Sequence, residues 1–263
     1  MKREERLVAI LDVLGEAGAI DVQDLVERFD ISPATARRDL DVLAARQLLN
    51  RTRGGASAQS LAYDLPTRYH REANPDAKAA IARAVQALIE PGMRVGLTGG
   101  TTARAIAAEL GQRADLEAHD GEGVTVVTSA INIAAQLVIR PHIRVVVTGG
   151  VVRPRSYELV GPYSDLTLER ITLDRAFLGI NALDATDGPM VEDEREARVI
   201  EMMASRAEQA WLVADSSKVG ERAFATIGGF DLFTGVVTDD GIDQAILQAL
   251  RDRGLRVQVV SPD

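Results

Sequence analysis

The chain contains no cysteine, which removes disulfides, thiolate metal sites and a cysteine nucleophile in one step. Its three histidines, His70, His119 and His142, are scattered without ligand spacing, so no metal centre and no cofactor are expected. No run of about 18 apolar residues occurs, and the charged start Met1-Lys2-Arg3-Glu4-Glu5 is unlike the apolar core of a secretion signal. A cytoplasmic protein without membrane association is the expectation. Aromatic residues are scarce at 4%, whereas 46% hydrophobic and 26% charged residues suit a globular chain with a real core. At 263 residues, two domains are expected.

Positive charge is also in short supply, with a net charge of −9 that by itself disfavours a nucleic-acid partner. Its distribution matters more than its total. Between Ile31 and Ser57 five arginines stand against two aspartates, a local charge of +3, so a basic patch survives on an acidic protein.

Inside that patch lies Ile31-Ser32-Pro33-Ala34-Thr35-Ala36-Arg37-Arg38-Asp39-Leu40. Ser32 can accept from the orphan amides of a first helical turn, and Pro33 follows where a missing N–H costs nothing, so a helix begins at Ser32. Ala36, Leu40 and Leu43 form its apolar stripe, with Thr35, Arg37 and Arg38 mostly off it. Arginines and a hydroxyl near a helix start suit docking in a major groove. Taken alone they suit a solvated amphipathic helix equally well.

The flanks bear on that choice. Leu7, Ile10, Leu11 and Leu14 predict a first helix over residues 3–15, ended by Gly15 and Gly18. Asp21 then caps a short second helix carrying Leu25, Val26 and Phe29. With a tight turn at Asp30-Ile31, the three helices match a helix-turn-helix. Leu48-Leu49 followed by Arg51-Thr52-Arg53-Gly54-Gly55 reads as a strand entering a Gly-Gly turn. That hairpin is either solvated or a wing whose arginines reach phosphate or the minor groove.

Residues 1–57 resemble the DeoR family of bacterial transcription regulators, whose motif runs roughly Val-Ser-x-x-Thr-Ile-Arg-Arg-Asp-Leu followed by a Gly-Gly-Ala wing. Here Ile31 stands for Val and Ala36 for Ile, apolar for apolar, and Arg53-Gly54-Gly55-Ala56 completes the wing. The DNA-binding candidates are therefore Ser32, Thr35, Arg37, Arg38, Arg51 and Arg53, with Thr35 and Arg37 expected near base edges and Arg38 near phosphate.

Residues 58–75 lack periodicity and read as a linker. From residue 76 to 263 strands alternate with helices, which predicts a mostly parallel α/β sheet with ligands gathered beyond the carboxyl ends of its strands. Arg94 to Leu97 is a buried strand running into Thr98-Gly99-Gly100-Thr101-Thr102 and a helix. That order can aim amides at an anion, or it can be a plain βα connection. Two more strands end in Thr128-Ser129 and Thr148-Gly149-Gly150. Arg175 to Ile180 is followed by a polar loop over 181–189 and a helix near Glu192 to Glu196. Lys218 follows another strand end and is either a phosphate partner or a solvated loop residue.

The resemblance extends through Gly100-Thr101-Thr102, Val127-Thr128-Ser129-Ala130, Gly149-Gly150, Phe177-Leu178-Gly179 and Asp215-Ser216-Ser217-Lys218. It implies a sugar-phosphate-sensing domain related in fold to ribose-5-phosphate isomerase and acyl-CoA transferases. One departure is that many members have Asp-Ser-Gly-Thr-Thr where this chain has Thr98-Gly99-Gly100-Thr101-Thr102, a lost carboxylate that bears on which sugar hydroxyls are read. The effector-binding candidates are Thr98, Gly99, Gly100, Thr101, Thr102, Ser129, Gly149, Gly150, Asn181, Glu196 and Lys218. The phosphate is expected on Gly100, Thr101, Thr102 and Lys218, and the sugar on Asn181 and Glu196.

Two functions follow. The first is a transcription regulator, normally a repressor of a carbohydrate operon, that binds operator DNA as a homo-oligomer and answers to a phosphorylated sugar. The second is an active sugar-phosphate isomerase carrying a DNA-binding domain. Isomerisation needs a carboxylate base. Ribose-5-phosphate isomerases carry acids in a Gly-Ala-Asp-Glu segment where this chain has Gly179-Ile180-Asn181-Ala182. An amide cannot abstract a proton, so sensing is favoured and no catalytic residue is assigned.

Overall fold

The apolar positions of the first 57 residues close on one another before any question of function arises. In the computed structural model, which describes residues 3–17, 19–46, 48–57, 73–116 and 123–262, Leu7, Ile10, Leu11 and Leu14 are buried with Leu25, Leu40 and Leu43. They lie on α1 (Arg3–Ala17), α2 (Val22–Phe29) and α3 (Pro33–Ala45). Gly15 lies inside α1 rather than at its end, and Gly18 is outside the described residues.

Local chemistry sets the remaining boundaries. Asp21 forms a capping box at the start of α2, accepting from the Asp24 amide at 2.9 Å while its own amide donates to Asp24. Asp30 closes α2 in the left-handed region at φ 49°. Ser32 caps α3 by accepting from the Thr35 amide at 3.1 Å. Three short strands, β1 (Ala19–Asp21), β2 (Asn50–Arg51) and β3 (Gly55–Ser57), pair antiparallel in the order β1-β3-β2. A Cβ on Gly55 would run into the Ile20 carbonyl, so that close approach of β1 to β3 requires glycine. Leu48 and Leu49 are buried ahead of β2 and join the core rather than the strand.

The second compact unit runs from Asn74 to Asp263. It opens with α4 (Pro75–Gln86), β4 (Arg94–Leu97), α5 (Thr101–Leu110), β5 (Val124–Thr128), α6 (Ile131–Leu137) and β6 (Ile143–Val147). A short arm follows, of β7 (Val151–Val152), β8 (Leu159–Val160) and α7 (Pro162–Leu168). Next come β9 (Leu173–Gly179), β10 (Ala182–Asp184), β11 (Gly188–Val191), α8 (Glu194–Ser205) and β12 (Ala207–Val213). The unit closes with β13 (Ala225–Thr226), β14 (Gly235–Asp239), α9 (Gln244–Asp252) and β15 (Arg256–Val260).

Seven of these strands form one parallel sheet in the order β15-β14-β12-β9-β4-β5-β6. Alternation along each strand divides its side chains between two cores. Phe177, Trp211 and Val237 pack with α4, α5 and α6, while Leu178, Leu212 and Val236 pack with α8 and α9. The polar loop expected over residues 181–189 is instead the antiparallel hairpin of β10 and β11, joined at its edge by β13. Asp184 accepts from the amides of Thr186 and Asp187 at 2.7 and 2.8 Å, and this tight Asx turn carries the loop-like composition. α4 ends at Gln86, short of Pro91-Gly92. Among the described residues no helix is long and apolar enough to cross a membrane.

Candidate functional site

The first candidate surface is the outer face of α3 with the β2–β3 hairpin. Ala36, Leu40 and Leu43 turn inward, and Arg37 and Arg38 are exposed. Ser32 and Thr35 share a hydroxyl–hydroxyl contact of 2.9 Å at the helix start. Asp39 does not face out with the arginines. It is buried at 1% exposure, where Arg6 Nε of α1 donates to it at 2.7 Å, so it fastens α3 to α1. Arg53 is exposed at the hairpin tip. Arg51, expected among the DNA-binding residues, is engaged internally: its Nε donates to Asp41 at 2.9 Å and its guanidinium also bonds the Gly55 carbonyl. Those contacts tie the hairpin to α3. Arg37, Arg38 and Arg53 have no ion pair among the described residues, and they present open cations for phosphate or base edges.

The second candidate site lies at the carboxyl edge of the seven-stranded sheet, where the segments after β4, β5, β6, β9 and β12 hold the effector candidates other than Glu196, which lies in the first turn of α8. α5 starts from Gly100 at φ 98°, and no side chain caps it. Its first-turn amides, those of Thr101 and Thr102 included, thus lack a side-chain acceptor. Thr98 is fully buried and accepts from the Gly179 amide at 2.8 Å, joining the ends of β4 and β9. Ser129 is buried after β5. Gly149 and Gly150 are packed rather than open: Ser164 donates to the Gly149 carbonyl at 2.6 Å, and a Cβ on Gly150 would come within 2.7 Å of the Val160 carbonyl. These two glycines seat the arm of β7, β8 and α7 against the sheet.

That arm delivers a carboxylate that sequence reasoning missed. Glu158, just ahead of β8, is 4% exposed and accepts from the Gly99 amide at 2.6 Å, with Ser129 Oγ at 3.5 Å. Burial, reinforced by the charge of Glu196, pushes its carboxyl up to about 8, against the opposing pull of the Gly99 and Ser129 hydrogen bonds. Glu196 itself is raised by burial, although Ser156 Oγ donates to it at 2.6 Å and Arg153 lies 3.8 Å away. Asp193 caps α8 and meets Arg153 at 2.6 Å. Burial works to raise Asp193, but its bonds and charges from Arg195 and Arg153 hold it low.

Asn181 stands apart from this cluster in its bonding. It is exposed, and its Oδ1 accepts from the Glu192 amide at 3.2 Å. Lys218 is half-buried in the loop after β12, where its charge helps hold Asp215 low against burial. The only sequence signal for Glu158 was a single acid amid Tyr157, Leu159 and Val160, with no periodicity to mark it.

Comparisons with known proteins match both units of the chain. Residues 6–61 match the DeoR-like helix-turn-helix domain, and residues 73–240 match the DeoR C terminal sensor domain. The chain is similar to the glycerol-3-phosphate regulon repressor of Escherichia coli, 29% identical over 98% of this chain and 100% of that protein. It is also similar to the HTH-type transcriptional regulator GlpR of Haloferax volcanii, 33% identical over 96% of each. A solved ribose 5-phosphate isomerase A from Methanocaldococcus jannaschii aligns over 56% of this chain and 55% of that one, with TM-score 0.41 and 20% identity. With a family domain matched across more than half its length, and a helix-turn-helix whose reading helix keeps its arginines exposed, the chain belongs to the DeoR family of DNA-binding transcriptional regulators.

Proposed function

We propose that this regulator represses a carbohydrate catabolism or transport operon and that a phosphorylated sugar, bound at the carboxyl edge of the sensor sheet, controls its grip on operator DNA. The observation that carries the effector half is the start of α5, where Gly100 precedes a ten-residue helix that no side chain caps. Such a start favours an anion through its free amides and the helix dipole. A relative named as a glycerol-3-phosphate regulon repressor supports a small phosphorylated polyol as the class. In this reading the phosphate rests on Gly100, Thr101 and Thr102 with Lys218, and the sugar lies toward Asn181 and Glu196.

On the DNA side, Arg37 and Thr35 approach base edges, Arg38 and Arg53 take phosphate, and Ser32 holds the helix start. Two copies, as a dimer or tetramer, place paired reading heads on repeated half-sites, and effective concentration then raises affinity. The linker read over residues 58–75 transmits the change; its last two residues, Asn74 and Pro75, already belong to the second unit, and residues 58–72 are outside the described residues. The effector shifts DNA affinity only by preferring one arrangement of the protein. The protein works in the cytoplasm, without a cofactor, and senses rather than converts its ligand, because the amide of Asn181 stands where an isomerase carries its central acid. Gel-shift titration on the DNA upstream of its own coding region, repeated with a panel of sugar phosphates, tests this. Binding that at least one sugar phosphate alters is expected. No DNA binding at low salt overturns it, and ketose–aldose conversion of any sugar phosphate favours the isomerase instead.

A further inference from the structure

Gly99 and Glu158 are 59 positions apart and fit each other as a lock fits its bolt. A Cβ built on Gly99 would lie 2.6 Å from Glu158 Oε1, 2.7 Å from its Cγ and 3.1 Å from its Cδ. Any side chain at position 99 therefore forces Glu158 to shift away from the Gly99 amide, and glycine admits it. The admitted carboxyl takes the Gly99 amide, immediately ahead of the uncapped start of α5.

Glu158 is placed there by its backbone. Tyr157 is held at φ 61°, a left-handed conformation uncommon for a tyrosine, and its carbonyl accepts from the Ile131 amide at 3.1 Å. The Leu159 amide donates to Ser129 at 2.7 Å, and the Glu158 carbonyl accepts from Arg153 at 2.7 Å. The acid is thus pinned against the end of β5 on both sides. Around it stand Gly99 and Ser129 from the sheet edge and Glu196 from the first turn of α8, whose own charged neighbours are Asp193, Arg153 and Arg155.

An anion that sought the Gly99 amide would have to displace this buried carboxyl, which already occupies that donor. A hydroxyl that approached the same carboxyl would donate to it. We propose that Glu158, admitted by Gly99, is a specificity-determining residue of the sensor cleft: it bars the anionic end of the effector from the Gly99 amide and receives a hydroxyl of the effector's polyol chain. This rests on the sugar-phosphate reading above, and it places the phosphate farther along α5, at Thr101 and Thr102.

The test is calorimetric titration of the full chain with glycerol 3-phosphate, ribose 5-phosphate, fructose 1-phosphate and inorganic phosphate, for the native protein and for E158A, G99A and the double variant. The native chain is expected to prefer at least one polyol phosphate over inorganic phosphate by well over tenfold. Both single variants should weaken that ligand by about tenfold, the loss of one hydrogen bond, and should strengthen inorganic phosphate. The double variant should match either single one, since both remove the same carboxyl from the same place. Unchanged affinities in the two single variants, or losses that multiply in the double, overturn the proposal. If the alanine variants do not fold, E158Q titrated at pH 9, where the native carboxyl has released its proton, decides: it is isosteric and keeps an acceptor for the Gly99 amide, so weaker polyol-phosphate binding supports the role and native binding overturns it. A native chain that binds none of the four compounds defeats the sugar-phosphate reading and this inference together, whereas binding that ignores all the variants defeats this inference alone.

Discussion

Asn74 Nδ2 donates to Asp215 Oδ1 over 2.8 Å, and so joins the first residue of the sensor unit to the loop that carries Lys218. Lys78 Nζ reaches the other oxygen of Asp215 at 3.8 Å, and both Lys78 and Asp215 are buried. Burial pushes the Asp215 carboxyl up, but the Ser217 and Asn74 hydrogen bonds and the charges of Lys78 and Lys218 hold it low. The residue that begins the unit and the proposed phosphate lysine thus act on one carboxylate. N74A is expected to leave operator affinity and ligand affinity near native while reducing the ligand's effect on DNA binding. It should cost about 1 kcal/mol of stability, the worth of one hydrogen bond. Paired measurements of ligand affinity with and without operator DNA check this, and an unchanged coupling ratio counts against Asp215 as the relay.

The two exposed arginines of α3 should behave differently from each other. R38A should weaken binding to all sequences alike and lower the slope of affinity against salt by about one ion. R37A should cost about 1–3 kcal/mol, mostly against the best operator sequence. Because both side chains are exposed, neither change should move the melting temperature. Fluorescence anisotropy across a salt series, on operator and scrambled DNA, separates the two roles.

Asp39, by contrast, should act through the fold. It is buried against Arg6, with Arg3 3.7 Å away, and removing one partner leaves an uncompensated buried charge. D39A should destabilise the N-terminal unit by about 3–5 kcal/mol and lose DNA binding as a consequence. Denaturant unfolding followed by circular dichroism reports the first effect, and native stability in a variant that has lost DNA binding would instead place Asp39 at the interface.

Glu158 also gives the protein a pH signature. Its carboxyl titrates near 8 when folded, against about 4.5 ordinarily, so the folded state holds a proton that the unfolded chain has released between those values. The stabilisation is fully present below the ordinary carboxylate range and is lost as pH rises through about 8. E158Q, which stays neutral, should therefore gain melting temperature relative to the native chain from pH 5 to pH 9. Parallel melting curves across that range would contradict a raised Glu158.

The parts of this molecule that were legible in the sequence are those with short-range rules. Ser32-Pro33 announces a helix start by capping chemistry alone, and Ala36, Leu40 and Leu43 show its buried face by spacing. The strand ends at Thr98, Ser129 and Gly149 mark the carboxyl edge of the sheet by strand–helix alternation. What escaped depends on contacts between distant segments. Glu158 and Gly99 are linked only once β7 and β8 fold back, and Asp39 reads as a surface acid beside two arginines until Arg6 is brought to it. The β10–β11 hairpin escaped because Asp184, Asp187 and Gly188 make its turn look like an extended loop.

In the proposed function one chain reads DNA with α3 and loosens or tightens that hold through a sugar phosphate bound at the sensor sheet. The most direct measurement is operator affinity of the full chain by fluorescence anisotropy, with and without each sugar phosphate at millimolar concentration. The account predicts tight, salt-sensitive binding that at least one sugar phosphate shifts by about 5–150-fold, the usual range of allosteric coupling. Operator binding that no phosphorylated sugar alters would contradict it.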